Sequence, residues 1–335
     1  MDKKQLQLTY KELQNTLTAR DFLQNAGLHK KDVLAVMDKG VWLEAMEKLM
    51  TGEVSCRNVL NLCSPAMENF AGSRPKDGWL PALYGHMIRK IYPHRDDIPA
   101  TDQYDKAAAF YLECLRFFLN KEKERLPFSR IRDFDFATEE ELEGSPYEEE
   151  YRRFLQCFSD AYLYELMRIG REIMPFDMLA HVAGVHHIAM HIARQLAKTG
   201  IPVDLPLISG AAAAHDIGKY GCRENEVRRI PYLHYYYTDL WCRVHELPNI
   251  GHIAANHSTW DLELENLTVE SLILIYADFR VKNNGYDEKG KEIMGFYSLA
   301  SSFAVILNKL DNVDTAKENR YRHVYSRLED FENYM

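Results

Sequence analysis

Nine of the thirteen histidines fall between His181 and His257, and one of them, His215, is followed directly by Asp216. An imidazole beside a carboxylate offers the mixed nitrogen and oxygen donors that Mn, Fe and Zn accept, and Mg less well. A carboxylate can also bridge two ions, and two ions about 3.5–4 Å apart stabilise both the attacking and the leaving oxygen of a phosphoester displacement. Asp216 is the natural bridge. Lys219, three residues on, is the nearest cation able to neutralise developing phosphoryl charge, followed in sequence by Arg223, Arg228 and Arg229. A second acid, Asp278, ends the apolar run of residues 271–277, and an isolated carboxylate on a buried helix is costly unless it is paired or metal-bound.

The elements that must hold these groups read as helices. Met174-Pro175 breaks the preceding helix, Asp177 can cap the next, and Gly200 with Pro202 supplies the stop, so one helix spans about 178–199. His181 lies on one stripe of it with Val185, Ile188, Ile192 and Leu196, while His187, His191 and Arg194 share its polar side. Asp204-Leu205-Pro206 caps a second helix whose run of residues 207–214 is small and apolar on every side, as in the centre of a bundle. That helix delivers His215 and Asp216. Upstream, Ser145-Pro146-Tyr147-Glu148 has the cap, proline and glutamate of a helix start, predicting a long helix to about Ile173. The nine carboxylates of residues 133–150, with no base among them, read as a solvated connector at a domain boundary.

Three segments, HVAGVHHIA at 181–189, AAAAHDIGK at 211–219 and LIYADFRVK at 274–282, resemble the signature segments of the HD superfamily of metal-dependent phosphohydrolases. The resemblance covers about 175–285, roughly a third of the chain. It implies that His215, Asp216 and Asp278 ligate a first divalent ion together with one histidine of the 178–199 helix. His181 is preferred because HVAGV is similar to the family's opening motif, with His186 and His187 as alternates. In two-metal members two further histidines follow, and here His234 of PYLHYYYT and His257 of AANHST look like them, with His245 and His252 as competitors. Asp216 and Lys219 are then the catalytic groups, and Lys219, Arg223, Arg228 and Arg229 the substrate-binding cations. Tyr235, Tyr236 and Tyr237 suit either stacking on a base or packing in a core.

The remainder bounds the reading. Residues 6–123 show helical periodicity, with turns at residues 72–78 and 93–99, so the fold class is all-α. Residues 1–140 read as an N-terminal helical region of unassigned role and 141–335 as the HD-type domain with a helical extension. After a loop at residues 283–286, the helical pattern resumes through Phe303, Val305, Ile306 and Leu310 and stops mid-helix, so the chain is open to being part of a longer protein. Six scattered cysteines without a CxxC pair fit reduced thiols in a cytoplasm, and no apolar run is long enough to span a bilayer. A formal net charge of −9 opposes nucleic acid as a partner. The expected activity is hydrolysis of a phosphoester or phosphoanhydride in a small phosphorylated substrate, a nucleotide being the leading class, with one or two Mn, Fe, Zn or Mg ions. The alternatives are an HD-type nuclease and a metal-binding sensor or interaction module without turnover.

Overall fold

Helical periodicity is realised along nearly the whole chain in a computed structural model, which describes residues 2–259, 262, 267–288, 290–309 and 314–335. The first stretch contains α1 (Lys3–Leu17), α2 (Arg20–Ala26), α3 (Lys30–Val36), α4 (Lys39–Leu49), α5 (Cys56–Ala71), α6 (Trp79–Ile91) and α7 (Asp105–Arg125). Then come α8 (Glu139–Leu142), α9 (Glu148–Asp160), α10 (Leu163–Ile173), α11 (Met178–Lys198) and α12 (Leu205–Ala214). The chain continues through α13 (Ile230–Val244), α14 (Pro248–Ala255), α15 (Val269–Arg280), an antiparallel hairpin of β1 (Val281–Tyr286) and β2 (Glu292–Phe296), α16 (Leu299–Lys309) and α17 (Thr315–Tyr334). The fold is therefore all-α apart from one small hairpin, which replaces the loop expected at residues 283–286. Leu310, part of the expected final periodicity, lies outside the described residues.

The chain divides into two units that are discontinuous in sequence: Met1–Phe128 with Ala161–Ile173, and Ser129–Asp160 with Met174–Met335. In the first, α5, α7 and α10 bury a charged pair, Arg168 Nη1 to Glu122 Oε1 at 2.7 Å, and Arg168 also donates to the Val54 carbonyl at 2.9 Å. The remaining oxygen of Glu122 accepts from the Val54 N–H, so both charges are answered inside the core. Glu172 closes the start of α5, accepting from the backbone N–H groups of Cys56 and Arg57.

Two expectations fail between residues 133 and 173. The long helix expected over 146–173 is instead α9 and α10, broken where Tyr162 takes φ 52°, and α9 starts at Glu148 while the Ser145 hydroxyl turns to Asp204 Oδ2 at 2.6 Å. The acidic stretch 133–150 is not a solvated connector. Phe134 and Phe136 stack at 5.1 Å and meet Phe158 edge-on, while Arg194 of α11 neutralises Asp135 and Glu141 at 2.5 and 2.7 Å. Alternate aromatics pull the segment onto the core; Arg152 pairs with Glu139 and Glu148, and Arg132 with Asp133.

The centre of the second unit is α12, buried from Pro206 through Ala214 and capped by Asp204, whose side chain accepts from the Leu207 N–H at 2.8 Å. Asp177 caps α11 in the same way through the Ala180 N–H at 3.0 Å. Small side chains on α12 let α11, α14 and α15 approach it closely; a Cβ at Gly210 would press on Ile250 at 2.6 Å. Among the described residues no helix is long and apolar enough to cross a membrane, and all six cysteines are free.

Candidate metal centre

At the end of α12 the chain turns through His215 and Asp216 into a 3-10 helix, Ile217–Gly221, laid against α13. This approach requires glycine, because a Cβ at Gly218 would overlap the His234 carbonyl oxygen and the Thr238 backbone. Thr238 fixes the turn from the other side: its hydroxyl accepts from the Gly218 N–H at 3.1 Å and donates to the His215 carbonyl at 3.0 Å. The same contact sets His234, one turn earlier on α13, opposite Asp216. His181 enters from the first turns of α11, Asp278 from the last turn of α15, and His257 from just beyond α14.

His181 Nε2 lies 3.0 Å from Asp216 Oδ2 and 3.2 Å from Asp278 Oδ1. His215 Nε2 is 3.5 Å from Asp216 Oδ2, 3.9 Å from Asp278 Oδ1 and 3.4 Å from His181 Nε2. On the other side of Asp216, His234 Nε2 is 3.6 Å from Oδ1 and 3.3 Å from His257 Nε2. Lys219 Nζ sits 2.5 Å from Asp216 Oδ2. Asp216 therefore faces one set of histidines with each of its two oxygens.

The tautomers follow from the backbone. Nδ1 of His215, His234 and His257 lies 2.8, 2.7 and 2.6 Å from the carbonyl oxygens of Ala212, Ile230 and Ala254. A carbonyl only accepts, so each Nδ1 carries the hydrogen and each Nε2 presents a bare lone pair. Those lone pairs point at each other and at carboxylate oxygens, an arrangement of acceptors facing acceptors that a cation satisfies. The donor atoms of His181, His215 and Asp278 lie within 4.8 Å of one another, as do those of His215, Asp216 and His257, so these buried groups could hold a metal ion.

The electrostatics agree with ligands in their deprotonated forms. Burial lowers the His234 pKa to about 4 against a weaker upward pull from Asp216, burial with His215 lowers that of His257 to about 4 against Asp278, and burial likewise lowers that of His215. Burial works to raise the Asp216 carboxyl, but Lys219 and His215 hold it well below the usual range. Asp278 is likewise held low against burial by Lys282 and His181. His181 differs: burial pulls it down, and hydrogen bonds to Asp216 and Asp278 outweigh that and raise it.

The structure thus brings His181, His215, Asp216, Lys219, His234, His257 and Asp278 together. His186 is elsewhere, its Nε2 3.1 Å from Ser209 Oγ and its ring edge-on to Phe134 and Phe136. His187 and His191 line a separate cavity. His245 packs on Trp241 at 4.6 Å, and His252 is exposed beside Asn256. Arg228 and Arg229 are exposed on a 3-10 helix, Glu224–Arg229, which Arg223 precedes. Of the three tyrosines, Tyr235 packs at a tilt against His234 at 3.9 Å and against His257 at 4.7 Å, Tyr237 is buried, and Tyr236 is exposed. Sequence reasoning missed the positioning roles of Thr238 and Tyr235, for which the four- and one-residue offsets from His234 were the available signal. Compared with protein-family models, curated proteins and solved structures, the chain matches none.

Proposed function

We propose that this protein is a metal-dependent phosphohydrolase of the HD type, acting on a small phosphorylated substrate with a nucleotide as the leading class. The observation that carries the reading is Asp216, whose Oδ2 faces His181 and His215 while its Oδ1 faces His234. His181, His215, Asp216 and Asp278 would hold one divalent ion, and Asp216, His234 and His257 a second. The mixed imidazole and carboxylate set favours Mn, Fe or Zn over Mg. A bound divalent ion supplies Lewis acidity toward a phosphoryl oxygen and acidifies a water to near neutrality.

The protein's own residues do the rest. Backbone carbonyls at Ala212, Ile230 and Ala254 keep three imidazoles in the donor tautomer, so no proton has to leave them before they ligate. Lys219, partly exposed while its Asp216 partner is buried, brings positive charge to where phosphoryl oxygens would gather negative charge. Tyr235 packs against the rings of both His234 and His257 and so limits their rotation.

The test is elemental analysis of the wild type and Asp216→Ala side by side, followed by phosphate release from a mixed nucleotide panel with added Mn. The expected result is one or two ions per chain and turnover in the wild type, both lost in the variant with the helical circular dichroism unchanged. Metal without turnover would leave only a metal-binding module, and no metal under any loading would end the proposal.

A further inference from the structure

Beyond the metal centre, α11 lines a second cavity of about 680 Å³ with Ile188, Ile192 and Leu196, and no member of the centre borders it. Ile188 and Ile192 follow His181 by seven and eleven residues on the same stripe, ~10 and ~16 Å along the helix. The stretch between is filled: Phe296 and Val281 of the hairpin lie 3.4 Å from where a Cβ of Gly184 would be. Phe296 therefore serves as a wall of the cavity and as the packing that separates it from His181.

The lining is amphipathic in a directed way. Ile188, Ile192, Leu196 and Phe296 form an apolar surface, and Arg130, Arg280, His187 and His191 add polar groups around it, with no Asp or Glu side chain among the lining residues. Arg280 is answered by Glu332 at 3.4 Å and by the Tyr276 hydroxyl at 2.5 Å. Arg130 is not: its guanidinium carbon lies 4.4 Å from the centre of the Phe296 ring, and no carboxylate among the described residues pairs with it. A guanidinium held on an aromatic face beside an apolar floor binds a carboxylate or similar anion while the floor takes the body attached to it. The volume falls within the range of about 300–1,000 Å³ typical of small-molecule sites.

We infer that this cavity is a binding site for a small organic anion with an apolar body, its head on Arg130 and its body on Ile188, Ile192 and Leu196. The site shares α11 and α15 with the metal centre through His187 and Arg280, but its occupancy does not depend on the hydrolytic reading.

The test is calorimetric titration of the full chain with decanoate and 1-naphthoate, and with 1-decanol as the neutral counterpart. One anion per chain is expected for at least one of the two acids, with 1-decanol at least tenfold weaker. Arg130→Glu should weaken the anion at least threefold, and Ile192→Trp should abolish binding by filling the cavity. Thr199→Phe, at an exposed position of the lining, does the same without touching the core. Metal content should stay unchanged in all three variants, and Asp216→Ala should bind the anion normally, so failure here is separable from failure of the metal site. Binding of neither acid, equal binding of 1-decanol, anion binding unchanged in Arg130→Glu, or binding indifferent to Ile192→Trp and Thr199→Phe would overturn the proposal.

Discussion

Two histidines five residues apart on α11, His181 and His186, are both buried and sit in opposite kinds of polar cluster. Five residues turn an α-helix by about 140°, so the two rings face different neighbours. In the cluster around His181, three partner histidines donate Nδ1–H to backbone carbonyls and leave bare Nε2 atoms facing carboxylates and one another. In the cluster around His186, hydroxyls alternate with the ring: Ser209 Oγ is 3.1 Å from Nε2 and 3.0 Å from the Tyr151 hydroxyl, and the Ala137 N–H donates to both oxygens. His186 Nδ1 has no partner among the described residues. An orphaned acceptor costs less than an orphaned donor, which puts the hydrogen on Nε2, pointing at Ser209. One cluster calls for a cation, and the other closes on itself. Burial and residue type are the same in both, and the direction of the donors separates a candidate metal site from a structural network.

The largest effect that can break this contrast is on metal retention. His215→Ala should lower affinity for a divalent ion by at least ~100-fold, since loss of a ligand exceeds the loss from an outer partner. His186→Phe should leave metal content at the wild-type level. Elemental analysis after dialysis against a weak chelator reads both, and equal loss from the two variants would erase the distinction.

Next in size is Gly218→Ala. Its Cβ would overlap the His234 carbonyl and the Thr238 backbone, so the 3-10 helix and α13 must separate. The expected cost is about 3 kcal/mol in urea unfolding, at the upper end for overpacking, with metal content falling because His234 moves off Asp216. Wild-type stability in this variant would mean that the close approach is not needed to build the centre.

How much of this was legible follows the same physics. Capping residues and small apolar runs are local signals, and they placed α11 and α12 within a residue or two. The HD pair and Asp278 were legible because a charge next to a wholly apolar helix needs a reason. What could not be read was direction. In sequence His181 is preferred over His186 only on the likeness of HVAGV to a family motif, whereas in the fold the ring of His186 turns to Ser209 with Phe134 and Phe136 edge-on to it. The acidic run 133–150 misled for a related reason: Arg194, which holds Asp135 and Glu141, is 53 residues from Glu141. The β1–β2 hairpin was hidden by Asn and Gly, which favour turns over strands.

Ser209→Ala is the intermediate test, because it removes the oxygen on which the closed cluster depends. It strips a partner from His186 Nε2 and shares of the Tyr151 hydroxyl and Ala137 N–H. A loss of about 1–3 kcal/mol is expected for a buried donor left unsatisfied, with full metal retention. Loss of the ion here would tie the two clusters together and weaken the comparison.

The smallest effect is a slope. Burial, with Arg194 adding to it, lowers the folded-state pKa of His186 to about 3, whereas the unfolded value is about 6.5. Between those values the unfolded chain binds the extra proton, so this residue's contribution is fully present above about pH 6.5 and is lost as pH falls toward 3. The loss is at most about 1.4 kcal/mol per pH unit. His186→Phe removes the titrating group while leaving the candidate metal site in place, so the difference in slope between the two proteins isolates it from the other histidines. Measured from pH 6 to 4.5 with chelator present in both samples, the wild type should lose stability more steeply than the variant. Parallel slopes would mean that His186 accepts a proton in the folded protein, and that the network around Ser209 is not closed.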